Sequence, residues 1–143
     1  MAESSRPVQS KWVSATFVAG CLYLLIGLVS ANLAGGVIGP RQRFWRGMAW
    51  LLSAMVFGVH VARERIRMRY GAVSTSLHAA LGAALGAFGL AVAATIHGYR
   101  VATPHLRALK LSLLIWPIVT AVPAFIVAFV IAVILRRDSE VKS

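Results

Sequence analysis

Carboxylates are scarce in this chain. Glu3, Glu64, Asp138 and Glu140 are the only acidic residues among 143, against 15 Lys and Arg. All four lie outside the long uncharged stretches of the sequence. Intramembrane cation sites and proton relays usually rest on a carboxylate at depth. On this reading a carboxylate-driven antiporter, a di-metal carboxylate site and a buried counter-ion for a cationic substrate are all disfavoured. No acid–base pair is left for hydrolysis within the apolar region. Glu64, set between Arg63 and Arg65, reads as their local charge partner.

Cysteine is rarer still. Cys21 stands alone inside an apolar run, which excludes an internal disulfide and a CxxC redox pair. It reads as a small packing residue. Neither a GxSxG elbow nor an HExxH motif occurs. With no nucleophile site to assemble, the chain is read as not an enzyme.

What the sequence has instead is long stretches without charge. Residues 12–40, 47–62, 70–99 and 111–135 contain no Asp, Glu, Lys or Arg. A helix needs roughly 20 mostly apolar residues to cross a hydrocarbon core of about 30 Å. The expected fold is an all-α integral membrane protein, one domain over 1–143, with spans at about 12–38, 45–62, 76–99 and 111–135. Connections are short, so consecutive helices are expected as antiparallel neighbours in an up-down-up-down bundle. The first run is too long for the ~7–15 residues of a signal-peptide core and reads as a retained span. Gly35-Gly36 and Gly39-Pro40 mark its stop.

The net charge of +11 gathers at span ends. That pattern is topogenic, and nucleic acid is not an expected partner. Four spans put both termini and the middle loop on one side. That side carries nine Lys and Arg and the other carries six, so the N- and C-termini are expected in the cytoplasm of a multi-pass protein. Trp45, Trp50, Tyr99 and Trp116 fall near one interface, and Trp12 and Tyr70 near the other. Arg63, Arg65, Arg67 and Arg69 alternate through the middle loop and suit anionic lipid, or the acidic surface of a partner subunit.

In lipid, helices associate through close backbone approach, which favours small residues four apart. Each span has such a stripe: Gly27, Ala31 and Gly35; Ala54, Gly58 and Ala62; Gly82, Gly86 and the displaced Gly89; Ala124, Ala128 and Ala132. These stripes either pack the bundle or dock another membrane protein or a second copy. Pro117 and Pro123 bend the fourth span, as a static kink or as a hinge.

Histidine supplies the candidates for cofactor chemistry. His60 and His78 lie a few residues from the same hairpin turn, at similar depth on helices two and three. Two facing imidazoles could ligate a haem b, or each could hold a chlorophyll-type pigment. Ala79, Gly82 and Gly86 would leave room for a flat macrocycle. His97 and His105 belong to the opposite end, His97 being about 28 Å along the helix from His78. The leading functional expectation is an accessory or scaffold subunit of a larger membrane complex. A tetrapyrrole-binding electron- or energy-transfer subunit using His60 and His78 is the alternative, and a small transporter or channel is a further one. The last would need a polar lining, for which the spans offer scattered Ser and Thr and Asn32.

Overall fold

Hydrocarbon cannot hydrogen-bond to a peptide group, so an apolar run in lipid must satisfy its own backbone, and a helix does this within one segment. The computed structural model of the chain describes residues 6–35 and 39–141, with side chains over 12–35 and 39–135. It contains α1 (Arg6–Ala34), α2 (Pro40–Ala62), α3 (Ala72–Arg100) and α4 (Leu106–Val141). A π-helical turn, Arg63–Arg67, extends α2. All four helices are long and apolar enough to cross a membrane, over Trp12–Ala34, Pro40–Arg67, Ala72–Arg100 and Leu106–Leu135. The protein is a helical bundle of the polytopic membrane class.

The ends follow local chemistry. Gly35 has φ +70°, the left-handed conformation that closes a helix and that a side chain would strain. Pro40 opens α2 from the first-turn position, where its missing N–H costs nothing. The helix therefore begins five residues before the expected span. Its other end passes the expected boundary at residue 62, because the chain meets no Gly or Pro until Gly71. The Arg-rich segment continues the coil as the π-turn, in which the Met68 N–H donates to the Arg63 carbonyl, 3.3 Å away. Pro117 and Pro123 sit inside α4, which runs through both without a break. The Thr120 hydroxyl donates to the Trp116 carbonyl at 2.8 Å, with that of Pro117 3.1 Å away, and so supplies a donor to a stretch the prolines deprive of two.

Packing does not simply follow chain order. α3 packs most extensively on α4, then on α1, and α2 lies mainly against α1. α2 and α3 are consecutive yet touch only sparsely. The reason is the surface of α1 and α3. A Cβ added to Gly86 would fall 2.5 Å from Tyr23 Cβ and 3.2 Å from the Gly20 carbonyl oxygen. One on Gly20 would fall 2.9 Å from Leu85 Cβ. Gly82 faces the Thr16 carbonyl and Ala19 in the same seam. Two helices that meet glycine to backbone approach more closely than any pair that must seat side chains between them. At the end of the bundle bearing the 63–71 turn, Val61 of α2, Ala79 of α3 and Ala128 of α4 form a buried cluster, with Phe57 and Ile131 packed against it.

Gly86→Leu is expected to force α1 and α3 apart and to lower stability by about 1–3 kcal/mol, the usual cost of overpacking a tight site. Gly58→Leu, where an added Cβ meets nothing within 4 Å, is expected to leave the isolated bundle unchanged. Unfolding of both variants in mixed detergent micelles checks the difference.

Candidate functional site: a buried carboxylate between two imidazoles

His60 and Glu64 are four residues apart, the spacing that stacks side chains on one helix face. That face also carries Val61 and turns into the bundle, so Glu64 is fully buried and His60 is 8% exposed. The opposite side of the π-turn turns outward, where Arg63, Ile66 and Arg67 are exposed. Across the gap, α3 presents His78 one residue before the buried Ala79.

The three side chains meet. His78 Nδ1 lies 2.8 Å from Glu64 Oε2, a charge-assisted hydrogen-bond distance. His60 Nε2 lies 3.7 Å from Glu64 Oε1, too far for a hydrogen bond. Trp12, in the second turn of α1, stacks on the His78 ring with 4.5 Å between centroids and planes 7° apart. Tyr70 meets the same ring edge-on, at 5.4 Å and 84°. Four helices contribute in all, because Arg65 fixes the turn to α4. Its Nε donates to the Ala132 carbonyl at 3.0 Å and its Nη1 to the Tyr70 carbonyl at 2.6 Å.

Not every polar atom here is satisfied. Glu64 Oε1, His60 Nε2, the Tyr70 hydroxyl and the Thr75 hydroxyl are buried with no hydrogen-bond partner. Buried polar groups are normally paired, and each exception calls for a reason. A π-turn beside them is a second irregularity, of a kind found often at functional sites.

Two expectations are corrected. Glu64 is not a partner of Arg63 and Arg65: its ionic contacts go to His60 and His78. Nor is it outside the spans, since the second runs to Arg67. His60 and His78 do come together at one depth, yet the Glu64 carboxylate lies between them. A tetrapyrrole held by both rings would have to displace it, and nothing in this geometry supports one. Among the described residues, no group of three or more His, Cys, Asp or Glu side chains could hold a metal ion. His97 and His105 are exposed near the far end.

The remaining residues singled out from sequence are placed as follows. Arg65 is half-buried, whereas Arg63, Arg67 and Arg69 are exposed, Arg69 with a positive φ of 54°. Gly82 and Gly86 lie in the α1–α3 seam. Gly27 meets Leu90 of α3 and, with Ala31 and Gly35, lines a cleft that Gln42 and Arg46 border from α2. Ala128 and Ala132 of α4 are fully buried, and Ala124 is half-buried. Ala54 is exposed, and Gly58 faces open space. Asn32 donates its amide to the Leu28 carbonyl of its own helix at 2.9 Å and lines no polar path. Thr75, Trp12 and Tyr70 are site residues that sequence reasoning did not assign. The His60-to-Glu64 spacing was the available signal for the carboxylate.

No protein-family model matches this chain, and no curated protein or solved structure is significantly similar to it.

His78→Ala is expected to be the most damaging change in the site. It strips Glu64 of its hydrogen bond and Trp12 of its stacking partner, and leaving one member of a buried pair alone costs about 3–5 kcal/mol. His60→Ala removes a group 3.7 Å away and is expected to cost less. Thermal unfolding followed by tryptophan fluorescence, to which Trp12 contributes, ranks the two.

Proposed function

We propose that this protein is an accessory or scaffold subunit that docks into a larger membrane assembly through the outer face of α2. The observation that carries the reading is an unequal use of small residues. The stripes of α3 and α4 are taken up inside the bundle, as Gly82, Gly86, Ala128 and Ala132 have helices against them. The stripe of α2 turns the other way. Ala54 is exposed, and no atom lies within 4 Å of a Cβ built on Gly47 or Gly58. Trp50, Met55 and Val59 flank this face at 80%, 66% and 67% exposure.

Lipid covers an apolar face without any need for glycine. A flat strip of Gly and Ala bordered by large side chains suits a second helix at close range. The occupant proposed is a transmembrane helix of another protein. The exposed Arg63, Arg67 and Arg69 at the end of the same helix would then meet anionic headgroups or an acidic partner loop, each basic residue contributing about 1 kcal/mol near a charged surface.

Blue-native electrophoresis in mild detergent tests the proposal. The wild-type chain is expected in a band larger than the monomer, containing at least one other polypeptide. Gly58→Leu is expected to shift it to the free monomer, while Val119→Leu on the exposed side of α4 is not. Migration of the wild type only as a monomer overturns the reading, and a band built of this chain alone replaces the foreign partner with a second copy.

A further inference from the structure

The bundle holds a second feature that docking does not use. A carboxylate with no access to solvent lies inside a candidate span, and only one of its oxygens is satisfied. We infer that Glu64 and His60 form a proton-binding site, which loads one proton between Glu64 Oε1 and His60 Nε2 and exchanges it with the side of the membrane bearing the 63–71 turn.

The geometry separates the two carboxylate oxygens. Oε2 is held by His78 Nδ1 at 2.8 Å. Oε1 faces His60 Nε2 across 3.7 Å, and both atoms are buried without a partner. With the ring proton of neutral His60 on Nδ1, these are two bare acceptors in a medium of low dielectric, an arrangement that costs free energy. A proton on either atom makes a donor–acceptor pair, and an approach of under about 1 Å brings it to hydrogen-bond distance. When the proton moves within the pair, the O–H bond of the carboxyl breaks as the N–H bond of the imidazole forms. A neutral acid and a neutral ring become a carboxylate and an imidazolium, and total charge is unchanged. Loading needs only a proton from water.

The surroundings leave this pair to titrate without a competing carboxylate. α2 presents His60, with Arg63 contributing positive charge near it. α3 presents His78, and the turn presents the Tyr70 ring. α4 presents the Ala132 carbonyl, already occupied by Arg65. α1 presents Trp12, and its described side chains include no charged one. The Tyr70 backbone N–H donates to the Glu64 carbonyl at 3.3 Å, so the turn lies directly over the site. Arg63 and Arg67, the exposed residues on either side of Glu64 in this turn, make it the side on which the inferred exchange is placed.

The test uses the full chain in lipid nanodiscs, titrated between about pH 5 and 8, the range in which imidazole changes charge. Infrared difference spectra are expected to show a protonated-carboxyl C=O stretch that grows as pH falls, is lost in Glu64→Gln, and moves its midpoint in His60→Asn. A hydrophobic carbodiimide, which reacts with the protonated acid, is expected to modify Glu64 in the wild type. Its rate should fall roughly tenfold per pH unit above the midpoint. Mass spectrometry of the peptide containing residue 64 reads this without any variant. A carboxyl that stays ionised and unmodified throughout overturns the inference and leaves a static ion pair. So does a midpoint that His60→Asn does not move.

Discussion

The seam where Gly20, Gly82 and Gly86 bring α1 and α3 into backbone contact is the constraint from which the other positions follow. Helices in lipid gain little by exchanging one apolar neighbour for another, so close approach at small residues sets the frame, and α3 makes it on two sides, towards α1 at this seam and towards α4. α3 packs on both α1 and α4, while α2 lies mainly against α1 and reaches α3 and α4 with its last turns. The same seam brings the second turns of α1 and α3 level. Trp12 can then lie flat on His78, 4.5 Å away. A side chain forced into this contact would move the ring as well as the helix.

The second tie is polar and sits at one end only. Burying Glu64 carries a penalty of several kcal/mol unless its oxygens are paired. The bundle meets half of that requirement through His78 and leaves the other half open towards His60. Around this imperfect pairing the fold is fully committed. Arg65 bridges the turn to α4, and Tyr70 and Trp12 close over His78 from two sides. A merely structural tie would be better served by a carboxylate satisfied at both oxygens, or by apolar residues of similar volume. A carboxylate held firmly on one side and loosely on the other is suited to changing its protonation state.

The two readings occupy different surfaces. The outer face of α2 is apolar and flat over its middle turns, whereas the inner face of its last turns carries His60 and Glu64. On the two proposals, one helix would offer a face for a neighbour and a face for a proton. The π-turn allows both, because it keeps the coil intact beyond residue 62 while Arg63 and Arg67 stay outside and Glu64 stays inside.

The sequence by itself determined the class and the number of helices. Uncharged runs of sufficient length leave the backbone only one way to satisfy itself in hydrocarbon, and that argument needs no knowledge of neighbours. It also brought His60 and His78 to one depth, since a short hairpin between antiparallel helices fixes depth from residue count alone. It misplaced Glu64. Four arginines in the segment 63–69 read as the end of a span, whereas in three dimensions the helix continues and turns its one acidic side chain inward. Which small-residue stripes are buried was likewise beyond the sequence, since all four helices carry one. Only the tertiary structure decided that α3 pairs with α1 and that Glu64 lies between two imidazoles. Both are outcomes of which helix faces meet, and that depends on all four helices at once.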